Sequence, residues 1–172
     1  YYSWIVYHFG LNGGTTPERY ALNLNSVGSK SANSGWWNNT APTEAVFTLG
    51  DSNDVNRSAY LYIAYLFATV DGISKVGYYT GTGNALNVDC GFSAGARFIL
   101  IKMESANDAW YVWDSTRGIV AGNDPYLLLN DTAAQVTNTD YIDPLASGFT
   151  ITSSAPTGIN QVNSKYIFYA IA

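Results

Sequence analysis

Any nucleophilic mechanism in this chain would have to run through one histidine, His8, or one cysteine, Cys90. His8 closes a strand-like run that starts at Ser3, and a polar side chain at a strand end ordinarily serves as a hydrogen-bonding turn residue. Cys90, between Asp89 and Gly91, reads as a small buried thiol. Glycoside hydrolysis needs two carboxylates, about 5 Å apart for retention and further apart for inversion. The glutamates are Glu18, Glu44 and Glu104, and none has an acidic neighbour two or four residues on within a strand-like run; Glu104 and Asp108 straddle a turn. No enzymatic activity is expected.

Binding chemistry has more to draw on. Asp51, Asn53 and Asp54 gather oxygen ligands in one loop, and calcium accepts such ligands flexibly. Their spacing lacks the glycine and final glutamate of an EF-hand, and an Asx turn capping its own backbone is the favoured reading, so no cofactor other than calcium is considered. Trp36 and Trp37 precede Asn38 and Asn39. If they lie on a strand, one indole enters the core and the other offers a stacking face beside amides, as a sugar ring requires. The competing reading packs both under a loop. Arg117, in Asp114-Ser115-Thr116-Arg117-Gly118, either meets an acidic sugar or a neighbouring subunit, or pairs with Asp114 across a tight turn.

These residues must be positioned by β structure. Hydrophobic residues are 47% and aromatics 15%, against 12% charged, so solubility rests on Asn, Ser, Thr and Gly. These are indifferent or poor helix formers, while the abundant Tyr, Val, Ile, Phe and Thr suit pleated strands. The formal charge of −5 with 8 basic residues argues against nucleic-acid binding. One cysteine excludes an internal disulfide framework. The longest apolar run, residues 60–68, is about half the length a membrane helix needs, so no membrane span is expected.

The chain also matches itself. Ser3 to His8 aligns with Ala109 to Asp114, and Tyr20-Ala21-Leu22 with Tyr126-Leu127-Leu128, both at a shift of 106. Leu24-Asn25 aligns with Leu129-Asn130 at 105, residues 46–49 with 148–151 at 102, and residues 62–68 with 166–172 at 104. The expected architecture is therefore an all-β antiparallel sandwich, jelly-roll or lectin-like, in a single domain. It would be built from two similar halves, 1–71 and 72–172, of about five strands each. Strands are predicted at 97–102, 110–114, 126–130, 149–152 and 165–172, with a turn-rich strand pair between the halves over 72–84. The counterpart of 97–102 is missing from the first half and YYSWIVYH reads as starting inside a strand, so an N-terminal truncation is expected. The segments 61–68 (LYIAYLFA) and 165–172 (KYIFYAIA) are apolar on both faces, so each should be covered on both sides. One cover would be the facing sheet, the other a loop layer or another copy of the chain.

GISKVGYYTGTGN, CGFSAGARFILIK, WYVWDSTRG, YLLLN, SGFTI and VNSKYIFYAIA, with WIVYHFGL, YALNLN, WWNNTAPTEAVFTLG and VNRSAYLYIAYLFA before them, resemble a β domain of unknown function. That domain recurs in tail-fibre and related virion proteins of bacteriophages, marine ones especially. The resemblance spans essentially the whole chain. It departs where family members have Pro at the place of Ala94 or Gly95 and a G-N-G hairpin at Gly81-Thr82-Gly83-Asn84, and family chains start earlier. It implies a virion structural and adhesion module, part of a tail fibre on the particle surface. The partners implied are copies of itself, other virion proteins and a host surface glycan. Two alternatives stay open: a glycan-binding or depolymerising domain, and an architectural head-fibre or decoration protein with no receptor contact.

Overall fold

The computed structural model describes residues 3–172, so the expected strand start at Tyr1 and Tyr2 lies outside the described residues. It is an all-β protein of three antiparallel sheets. The strands are β1 (Ile5–Val6), β2 (Tyr20–Asn23), β3 (Ser31–Ala32), β4 (Ser74–Thr80), β5 (Leu86–Asp89), β6 (Phe98–Met103), β7 (Trp110–Asp114), β8 (Leu127–Leu128), β9 (Ile142–Leu145), β10 (Gly148–Ile151) and β11 (Lys165–Ile171). Three one-turn helices accompany them: α1 (Ser34–Trp37), α2 (Asn53–Asn56) and α3 (Thr157–Asn160).

The sandwich lies in the second part of the chain. A five-stranded sheet, β4-β11-β6-β7-β8, packs on a three-stranded sheet, β5-β10-β9. Strand alternation decides which side chains meet. Ile99, Ile101 and Met103 of β6, Tyr111 and Trp113 of β7, and Tyr166, Phe168 and Ala170 of β11 form one core with Val88, Ile142, Phe149 and Ile151 of the smaller sheet. The side chains between them point the other way, where Trp110 and Ile167, with Leu100 packed alongside, meet Leu11 and Leu22 of the N-terminal layer. The Trp110 indole donates to the Asn23 carbonyl at 3.0 Å and ties the layers together. The apolar strand β11 is thus covered on both faces, as its sequence requires. Gly77 of β4 lies opposite Phe168 of β11, and a Cβ there would fall 2.4 Å from the Phe168 ring, so only glycine lets the ring lie across the strand.

The first part departs from the expected matching half. Residues 3–71 contribute the sheet β1-β2-β3 and two one-turn helices, not five strands. Residues 46–49, aligned with β10, form no strand, and neither do residues 61–68, aligned with β11. The 61–68 segment has the composition of a buried ribbon and lies on the surface instead, with Leu61 fully exposed and Leu66 76% exposed. A strand exists only through its neighbours' hydrogen bonds. No N–H of residues 61–68 finds an acceptor among the described residues, whereas β11 is bonded along its length to β4 on one side and β6 on the other.

Candidate functional site

The sugar-stacking expectation for Trp36 and Trp37 is corrected by their surroundings. They lie on the single turn of α1, and both are buried, 7% and 8% exposed, in a cluster with Ala21 and Val55. Asn33 starts that turn by accepting the Gly35 N–H at 2.8 Å, a side-chain cap that a strand would not offer. The Trp36 indole donates to Asp54 Oδ2 at 3.2 Å and the Trp37 indole to the Tyr20 carbonyl at 3.0 Å. Neither ring presents a face to solvent. Asn38 and Asn39 are exposed, with φ of 51° and 48°, and end the turn in the left-handed region that asparagine tolerates.

The oxygen cluster at Asp51, Asn53 and Asp54 is engaged locally. Ser52 caps α2 by accepting the Asp54 N–H, and the Ser52 hydroxyl donates to the same Asp54 oxygen that takes the Trp36 indole. Among the described residues no three His, Cys, Asp or Glu side chains converge as metal ligands. Arg117 is paired with Asp114 across their turn, and Asp114 Oδ1 accepts the N–H groups of Thr116 and Arg117 at 3.0 and 2.9 Å. The turn reading of Arg117 is the one observed.

His8 is buried where β1 runs over β11. Its Nδ1 accepts the Gly10 N–H at 2.9 Å, so the neutral ring carries its proton on Nε2 and donates it to the Phe168 carbonyl at 3.3 Å. Burial lowers its pKa to about 4, and the Phe168 carbonyl opposes that shift only in part. Burial pushes the Cys90 thiol up to about 12, which leaves it a protonated core residue rather than a nucleophile.

The largest surface feature is one that no candidate motif pointed to. A cleft of about 1740 Å³ runs between β1 and the 61–68 segment. Its walls include Trp4, Val6 and Tyr65, and its floor includes Phe98, Leu100 and Tyr169 of the five-stranded sheet. Glu44 and Asp54 are its acidic members. The 61–68 segment is held at its ends. The Tyr62 hydroxyl donates to the Asn53 carbonyl at 2.9 Å and accepts the Arg57 N–H, while Ser74 Oγ donates to the Ala68 carbonyl at 2.8 Å. Between these ties the Phe67 ring lies 4.9 Å from that of Tyr169, and Tyr65 stacks on Trp4 across the cleft at 6.1 Å. The signal in sequence was the doubly apolar run itself, read there as a covered strand.

A second, smaller pocket of about 440 Å³ opens between β4 and β5. It sets the half-exposed rings of Phe9 and Tyr78 beside Lys75, Asn87 and Asp89. No helix among the described residues is long and apolar enough to cross a membrane.

Fold and surface together define a β-sandwich with a large uncovered apolar cleft and no assembled catalytic constellation among the described residues. The chain belongs to the family described as "Domain of unknown function (DUF7483)", whose model matches residues 1–172. No curated protein and no solved structure matches it.

Proposed function

We propose that this chain is a structural and adhesion module of a phage virion, part of a tail fibre, that assembles with copies of itself and other virion proteins. The observation that carries this reading is the bare apolar surface of residues 60–68, enlarged by Trp4, Val46 and Phe47, which are also exposed. Monomeric soluble proteins rarely leave contiguous apolar patches beyond a few hundred Å² open to water, and a stable protein contact buries about 800 Å² on each partner. The resemblance to tail-fibre domains supplies the virion setting.

The test places charge on this surface. With both Leu61 and Leu66 replaced by Asp, sedimentation velocity over micromolar concentrations should show loss of the self-association expected of the unaltered chain. The thermal midpoint should stay within a few degrees, because neither side chain is packed. An unaltered chain that sediments as a monomer throughout would refute self-assembly.

Glycan contact is the second reading, and the pocket between β4 and β5 favours it. Exposed aromatic faces next to amide, ammonium and carboxylate groups are what sugar rings and hydroxyls take up. Host-surface binding by the module therefore belongs at Phe9, Tyr78, Lys75 and Asp89, not at Trp36 and Trp37.

A further inference from the structure

The self-alignment of the sequence recurs in individual hydrogen bonds. The Trp4 N–H donates to the Asn25 side chain at 3.1 Å, and the Trp110 N–H to the Asn130 side chain at 2.7 Å. Leu24 N–H donates to the Trp4 carbonyl and Leu129 N–H to the Trp110 carbonyl, both at 2.9 Å. His8 accepts the N–H two residues on through its ring, and Asp114 does the same through its carboxylate. Residue for residue, β1 and β2 therefore pair as β7 and β8 do.

The correspondence fixes what is uncovered at β1. In an antiparallel ladder successive residues turn their N–H and C=O groups to opposite neighbours. Trp4 and Val6 bond toward β2, which turns the backbone groups of Ile5 and Tyr7 to the cleft. Their counterparts, Tyr111 and Trp113, lie opposite Ile101 and Ile99 of β6. On the far side of β6 lies β11, the counterpart of the 61–68 segment. The cleft thus occupies, between β1 and residues 61–68, the position that β6 occupies between β7 and β11. Trp4 and Tyr65 stack directly across it, while their counterparts Trp110 and Tyr169 are held apart by β6, opposite Lys102 and Leu100.

We infer that the cleft is the seat of one further antiparallel strand, apolar like Phe98–Met103, inserted between β1 and residues 61–68 and supplied by polypeptide N-terminal to Tyr1. Its chemistry follows from the walls: free N–H and C=O groups along both edges and an apolar floor of Phe98, Leu100 and Tyr169. Its connection follows from the second unit, where β6 leads into β7 through residues 104–109 alone. Once seated, the strand would convert 61–68 from a bare ribbon into a sheet member. This inference deepens the reading of the cleft as an assembly surface but rests on the hydrogen-bond register, not on self-association.

The probe is a synthetic peptide of this chain's own residues 97–108. Added to the 172-residue chain, it should slow amide exchange at Ile5 and Tyr7 by about tenfold or more, where a scrambled peptide does not. The same sequence fused ahead of Ser3 in place of Tyr1 and Tyr2 should protect both amides without added peptide. Two results would overturn the inference: both amides unprotected with peptide and with fusion, or both already protected in the chain alone, which would assign the cleft to a second copy. Exchange at these two amides reports the cleft only, so it can fail while sedimentation still shows self-association, and the reverse.

Discussion

Replacing Asp124 by Ala should cost this fold about 4 kcal/mol, enough to consume most of the margin of an ordinary domain. Asp124 is fully buried, and its carboxylate serves three donors at once. Oδ2 accepts the Trp113 indole N–H at 2.9 Å and the Ile142 N–H at 3.1 Å, and Oδ1 accepts the Tyr141 N–H at 2.8 Å. The Asp124 carbonyl also takes the Thr139 hydroxyl. Trp113 is a central core residue of β7 and Ile142 opens β9, so this one side chain links both sheets of the sandwich. Alanine would leave three donors unmatched, two of them beside residues with no solvent exposure, and each unmatched buried donor costs about 1–3 kcal/mol. Urea unfolding should show the midpoint falling with the slope unchanged. A variant within 1 kcal/mol of the parent would show that water or a local shift satisfies the donors.

A second large effect is expected in acid. His8 folded titrates at about 4 against an ordinary 6.5, so between those values the unfolded chain binds a proton the folded chain does not. Its contribution to stability is full above pH 6.5 and is lost as pH falls toward 4. The difference corresponds to about 3 kcal/mol at the acid end. Asp124 works in the opposite sense. Burial raises it to about 6 against the pull of its three N–H donors, so its ionisation costs the fold stability as pH rises from the ordinary carboxylate range toward 6. The two slopes oppose each other over pH 4–6, and variants separate them. In His8→Gln the acid-side loss should vanish, leaving stability that declines as pH climbs through that window. Equal pH dependence in parent and variant, read from urea midpoints at each pH, would remove His8 from this role.

Where the chain supplies its own neighbours, the fold was legible in the sequence. The strands anticipated at 97–102, 110–114 and 165–172 coincide within a residue with β6, β7 and β11, because each is a β-branched and aromatic run with partners on both sides. The strand pair expected over 72–84 became β4 with a turn, and β9 went unread because Ile142–Leu145 carries a Pro and an Asp. The same signals misled at 61–68 and 46–49. Composition there matches β11 and β10, but pairing depends on what lies alongside, which composition does not encode. Trp36 and Trp37 were placed on a strand for their β propensity, and the Asn33 cap overrode it with a helical turn. The Arg117–Asp114 pair and the Ser52 cap were readable because they are local, within three residues. The cleft was not, because its walls are about sixty residues apart in the chain, as Trp4 and Tyr65 show.

The claim that residues 61–68 form a surface made to be covered by other polypeptide is met most directly by hydroxyl-radical footprinting of the intact chain across a concentration series. Oxidation of Leu61, Ile63 and Leu66 should be high in dilute solution and fall severalfold as copies associate, while exposed Val162, far from the cleft in sequence and absent from its lining, stays constant. Unchanged oxidation of all three side chains at concentrations where the chain sediments as an oligomer would show that assembly uses another face and that this surface is simply left bare.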